Sequence, residues 1–265
     1  MLSKMLLGRY IPGSSVVHQL DPRAKIVCVL LFMVIVFFAN HWTGYLLLIL
    51  FVVSITKMAG LSLIFLFNGL KLILILLVFT FMMHLFFTKG GIVLIDATLF
   101  TIESAGVVQG IYITIRLAML ILITTVLTLT TSSVSLTDAI ERLCRPLKTI
   151  KLPVHEIAMM MSISLRFIPT LMDETEKIIK AQSARGSTFM TGSLKSRMNA
   201  LTPVFIPLFI SAFKRAEELA VAMEVRGYQG EAGRTSYRVL DWQYKDTLAI
   251  ITVIIFGVFL FMIRQ

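Results

Sequence analysis

The stretch VVQGIYITIRLAMLILITTVLTLTT at residues 107–131 decides the fold: it is 25 residues long and carries one charge, Arg116. About 20 apolar residues of α-helix cross the hydrocarbon core of a bilayer. Further apolar runs lie at roughly 26–39, 45–56, 63–87 and 247–263. The first two are short, which suits helices that are tilted, interfacial or partly buried in protein. The chain of 265 residues is 57% hydrophobic and 15% charged, whereas soluble domains are about a quarter charged. The expected fold class is all-α: a multi-spanning helical membrane protein of five spans with a cytoplasmic domain of long crossed amphipathic helices.

The loops between the runs set the expected orientation, because Lys and Arg accumulate on the cytoplasmic side. Lys4, Arg9, Arg23 and Lys25 precede the first run, and Lys57 follows the second. The loop 88–106 sets Lys89 against Asp96 and Glu103, as an external loop does. Segment 132–245 is rich in Lys and Arg, and the last run then carries the C-terminus outside. The expected location is the cell membrane, multi-pass, with the N-terminus and segment 132–245 cytoplasmic. The net charge of +10 needs no nucleic-acid partner, since this cytoplasmic bias accounts for it. No cleavable leader is expected, because Pro12, Gly13, His18 and Asp21-Pro22-Arg23 stand ahead of the first run. Cys28 and Cys144 form no disulfide framework or metal set.

The domains expected are therefore 1–131, an N-terminal segment with about four spans; 132–245, a polar coupling segment; and 246–265, the last span. The polar segment opens with Ser-Ser-Val-Ser-Leu-Thr-Asp-Ala-Ile-Glu at 132–141, hydroxyls followed by acids, which starts a helix running to about Arg145. A second helix is expected from Val154 to Arg185, with Ile157, Met161, Ser164, Ile168, Met172 and Ile179 at helical spacing. A third is expected from Leu194 to Arg226, its stripe including Leu201, Val204, Leu208, Leu219 and Met223. Pro203 and Pro207 predict a kink or a late start in it. Two long striped helices are expected to cross.

Both end alike, in Ala-Gln-Ser-Ala-Arg-Gly at 181–186 and Ala-Met-Glu-Val-Arg-Gly at 222–227. Each glycine suits the left-handed residue that closes a helix, and each arginine complements the negative helix end. The doubling adds a second role. An arginine fork can grip a carboxylate or carbonyls on a partner, so two tips look like plugs for two similar sockets. Capping and docking are compatible, and both are expected.

No catalytic residue is expected. Gly186 to Gly192-Ser193 has neither the spacing nor the lysine of a phosphate-binding loop, so a nucleotide, if used, is bound by another chain. His155-Glu156 begins a zinc-protease pattern, but Met159 stands where the second histidine belongs. His18, His41, His84 and His155 are too scattered for a metal site, so none is expected. Arg116, about a third of the way along its run, is the intramembrane polar residue to weigh, with packing against a carbonyl or polar partner favoured over substrate contact. Two rival functions remain: a self-sufficient secondary transporter, opposed by the lack of paired intramembrane carboxylates and inverted repeats, and a membrane-anchored assembly protein with a basic segment.

A series of short motifs carries a resemblance: Leu20-Asp21-Pro22-Arg23-Ala24-Lys25, Leu-Thr-Leu-Thr-Thr-Ser at 127–132, Pro146-Leu147-Lys148, Leu152-Pro153 and Arg166-Phe167-Ile168-Pro169. With Ala181 to Gly186, Arg215-Ala216 and Ala222 to Tyr228 following in order, the chain resembles the CbiQ-like transmembrane T components of the energy-coupling factor family of vitamin and micronutrient importers. The resemblance implies that Ala184-Arg185-Gly186 and Val225-Arg226-Gly227 dock into grooves on a pair of ATP-binding subunits. Val225 stands where alanine is also common, which leaves the arginine's role intact. It further implies that ATP and magnesium are used by those partners, with no cofactor bound by this chain, and that a separate membrane-embedded S component binds the substrate. Met159-Met160-Met161 is a candidate part of the face that holds it, because methionine repacks readily; ordinary helix packing is the competing role.

Overall fold

The computed structural model describes residues 10–97, 100–150, 152–186, 194–230 and 240–263. The chain divides into two compact units, Met1–Ala139 with Leu240–Gln265, and Ile140–Val239. In the first unit a short helix α1 (Val16–Gln19) precedes α2 (Pro22–Ile35), α3 (Trp42–Met58) and α4 (Leu63–Phe87). Strands β1 (Val93–Ala97) and β2 (Phe100–Glu103) then lead into α5 (Ser104–Thr130), and α6 (Ser133–Cys144) follows. The remaining helices are α7 (Val154–Ala184), α8 (Leu194–Val225) and α9 (Tyr244–Ile263). Every apolar run lies in a helix, the first continuing from α2 into a 3-10 turn at Val36–Phe38. By length and composition α5 and α9 are able to cross a membrane, whereas α3, at 17 residues, is shorter.

The fold is nearly all-α rather than all-α. Segment 88–106, expected as a plain loop, holds an antiparallel hairpin in which Ile95 pairs with Ile102 and Ala97 with Phe100. Val93, Ile95, Phe100, Thr101 and Ile102, β-branched or aromatic, favour the pleated conformation.

In the first unit α4 packs along α5, α2 against α9, and α3 against α5. Small residues permit close approach. A Cβ placed on Gly106 would sit 2.9 Å from the Thr88 carbonyl oxygen, and one on Gly257 would sit 2.8 Å from Ile35. Phe32, Val36, Leu48 and Val52 form the interior with Ile123 and Val126, and Phe51 stacks on Phe256 with ring centroids 4.2 Å apart. Leu50, Ile75, Phe79, Ile255 and Phe259 point outward and are exposed. Such an apolar perimeter invites aggregation in water and is the expected surface in lipid.

One end of this bundle is tied by charge. The Asp246 carboxylate, 1% exposed, accepts the backbone N–H of Asp21 at 2.7 Å and that of Gln243 at 2.8 Å. Asp21 caps α2, accepting from the Arg23 N–H at 2.8 Å, and its carboxylate takes the Arg23 guanidinium in two places. Arg23 also donates to the Leu240 carbonyl and lies over the Trp242 ring. The hydrogen bond to Asp21 holds its pKa above the ordinary value, against the opposing effect of burial. Lys25, one residue ahead of the apolar run, donates to the carbonyls of Thr130 at 3.0 Å and His18 at 3.2 Å. Burial lowers its pKa to about 8, with Asp246 and Asp21 pulling the other way. The motif Leu20 to Lys25 is thus a clasp joining the start of α2, the end of α5 and the start of α9.

In the second unit α7 packs on α8. α8 begins at Leu194 as expected, with Pro203 and Pro207 inside it, so of the two alternatives, a kink or a late start, the late start does not occur. The stripe on α7 also differs from expectation. Ile157, Met161, Ile168 and Met172 are 40–50% exposed, and Met159, Ile163, Phe167 and Glu174 face α8 instead. Both sets recur at helical spacing, and the apolar residues are spread too widely around the helix for periodicity to choose between them.

Candidate functional site

Both helix endings close on a left-handed glycine. At the end of α8 the N–H of Tyr228 donates to the Met223 carbonyl at 3.0 Å and that of Gly227 to the Glu224 carbonyl at 2.9 Å. These are the two bonds of a Schellman motif, with Arg226 as C-cap and Gly227 at φ +74°. At the end of α7 Arg185 is the C-cap, the Gly186 N–H donates to the Ser183 carbonyl at 3.0 Å, and Gly186 has φ +91°. A Cβ on either glycine would meet nothing within 4 Å. Backbone conformation, not crowding, demands glycine there.

The tips are open. Ala184, Arg185, Gly186, Val225, Arg226 and Gly227 are all exposed, Val225 at 81%. Among the described residues neither Arg185 nor Arg226 has a side-chain hydrogen bond or ion pair. The capping role is therefore a backbone matter, and both guanidinium groups are unspent.

What holds the tips is the crossing of α7 and α8. Arg215 donates to the Glu174 carboxylate at 2.9 Å, both side chains being about a third exposed. Farther along, Met159, Ile163 and Arg166 of α7 line a groove of about 550 Å3 with Leu219, Met223 and Arg226. Rising numbers on α8 meet falling numbers on α7, so the helices run in opposite senses and their C-terminal tips leave the crossing in different directions. Arg185 stands 11 residues beyond Glu174, an arm of about 16 Å at 1.5 Å per residue.

The three methionines do not form one patch. Met159 is half-buried in the groove with α8. Met160 and Met161, 56% and 40% exposed, line a separate shallow groove with Ile157 and Leu165. Arg116 lies where packing places it: it donates to the Tyr45 hydroxyl at 2.9 Å and the Ala39 carbonyl at 3.4 Å, over the Phe37 ring. His155 pairs with Glu141 at 2.8 Å, and among the described residues no metal-binding group of three is present.

The family model described as CbiQ, cobalt transport protein, matches residues 13–237. The chain belongs to the CbiQ family. Among its relatives, the energy-coupling factor transporter transmembrane protein EcfT of Macrococcus caseolyticus is 56% identical over 96% of both chains. The protein of the same name from Bacillus subtilis is 52% identical over the whole of both chains. That from Staphylococcus aureus is 50% identical over 100% of this chain and 98% of its own. The CbiQ match contains both arginine tips, the crossing and the Leu20 to Lys25 motif, while α9 and the clasp partners Leu240, Trp242 and Asp246 lie beyond it.

Sequence reasoning missed three partnerships in this CbiQ family member: Asp246 with Asp21, Glu174 with Arg215, and Arg166 with Arg226 across one groove. For the first, a lone aspartate opening an apolar helix was the available signal. For the other two, the motif words containing Arg166 and Arg215 were on view without their neighbours.

Proposed function

We propose that this chain is the transmembrane energy-coupling subunit of an importer of the energy-coupling factor type, carrying ATP-driven motion to a substrate-binding membrane protein. The observation that carries this is the pair of exposed, unpaired arginines at the ends of two crossing helices, in a CbiQ family member whose relatives are named energy-coupling factor transporter transmembrane proteins. In this proposal Arg185 and Arg226, each flanked by the small or short residues Ala184, Gly186, Val225 and Gly227, enter grooves on a pair of ATP-binding subunits. ATP and magnesium are bound there, and this chain performs no catalysis.

Closure of the two ATPase subunits displaces the tips, and the ion pair at Glu174 and Arg215 keeps the helices from sliding freely as the load passes. Segment 132–245 is then the coupling domain, held in the cytoplasm by five spans, with 1–131 and 246–265 as its membrane parts and the C-terminus outside. The exposed pair Met160 and Met161 belongs to the surface that grips the S component, whereas Met159 serves the crossing. Vitamins or other micronutrients are the cargo class.

The test is co-purification of the tagged full-length chain in mild detergent. Two ATP-binding subunits and a small membrane protein are the expected companions. A chain that purifies alone and transports substrate in liposomes without ATP is instead the secondary carrier.

A further inference from the structure

Arg166 has no task in the function just described. It sits on α7, 19 residues before that helix's own arginine tip, yet it lines the same groove as Arg226 at the tip of α8. The groove has apolar walls from Met159, Ile163, Leu219 and Met223, and none of its lining residues is acidic. Arg166 and Arg226 are both exposed, and among the described residues neither has a side-chain hydrogen bond or ion pair. Arg215, on the same helix pair, has its carboxylate in Glu174. Two guanidinium groups on one apolar-walled groove with no acid in its lining leave it net positive, and an anion entering it meets opposite charge from both helices. Their planar forks suit a carboxylate in particular.

We propose that Arg166 and Arg226 form a two-arginine anion site at the α8 tip, taking a carboxylate-bearing segment of one ATP-binding subunit. Arg166 is then a docking residue lent by the opposite coupling helix, a step that rests on the docking function proposed above. The crossing both stiffens the lever and completes one of its sockets.

The test measures affinity of the full-length chain in nanodiscs for its purified ATP-binding subunits, from about 50 to about 500 mM salt. Arg166→Ala is expected to weaken binding about tenfold and to flatten the salt dependence, as does Arg166→Gln, which keeps an apolar stem in the groove. Arg166→Lys keeps the salt dependence and loses part of the affinity. Combined with Arg226→Ala, the losses are less than additive. The proposal is overturned if Arg166→Ala and Arg166→Gln bind like the unaltered chain while Arg226→Ala does not. It is equally overturned if they weaken binding with an unchanged salt slope, which assigns Arg166 to packing. If Arg185→Ala and Arg226→Ala both bind with full affinity, the docking function fails and the anion site with it.

Discussion

Arg23 and Arg226 both sit at helix ends, and the two units of the chain use them in opposite ways. Arg23 lies in the first turn of α2, where a cation opposes the helix dipole, and it is held by the Asp21 carboxylate, the Leu240 carbonyl and the face of Trp242. Arg116, in the same unit, is likewise engaged by Tyr45, Ala39 and Phe37. In the second unit Arg185, Arg226 and Arg166 stand exposed and unpaired among the described residues. A charge next to lipid or inside a bundle must be matched within the chain, because losing water without a partner costs several kcal/mol. A charge left in water keeps its hydration and stays available to a partner. The same residue type is thus a fastening in the first unit, as Arg215 also is in the second, and is left unengaged at Arg166, Arg185 and Arg226.

The largest expected effect breaks the fastening side. Asp246→Leu removes the acceptor of two backbone N–H groups and the acid that acts most strongly on Lys25, and should destabilise the bundle by about 3–5 kcal/mol. Thermal unfolding in detergent reads this, and an unchanged midpoint would remove the clasp from the account. A smaller effect sharpens the tip side. Gly227→Ala forces a left-handed alanine at a cost of about 1 kcal/mol and frays the end of α8. It should weaken ATPase-subunit binding several-fold without moving the midpoint of the bundle, and Gly227→Asn, which tolerates that conformation, should bind better than the alanine variant.

The smallest effect is a pH dependence. The Lys25 amine titrates near 8 in the folded chain against an ordinary 10.5, so between those values the unfolded chain holds the extra proton. Raising the pH strips that proton from the unfolded state alone, and stability rises across this window. The unfolding midpoint of the unaltered chain should therefore climb relative to Lys25→Met between about pH 8 and pH 10.

Much of this contrast was legible in the sequence because its signals are local. Membrane-length apolar runs gave the helices, and an arginine followed by glycine at the end of an amphipathic pattern gave both tips and their caps. Pairings between distant residues were not legible: Asp246 meets Asp21 from 225 positions away, and no local pattern encodes that. Nor does periodicity select a face when α7 carries two apolar stripes: the one through Ile157 and Met161 reads as clearly as the one through Met159 and Ile163 that lines the groove with α8. The hairpin escaped because its strands, five and four residues long, follow a glycine pair and show no apolar–polar alternation long enough to set them apart from a loop.

The central claim is that the two exposed arginines transmit the force of ATP hydrolysis. Its most direct measurement is ATP-dependent substrate uptake by the assembled transporter carrying Arg185→Ala together with Arg226→Ala, with the unfolding midpoint recorded alongside. The account predicts uptake at background level, loss of the co-purifying ATP-binding subunits and an unchanged midpoint. Uptake at the level of the unaltered transporter would contradict it.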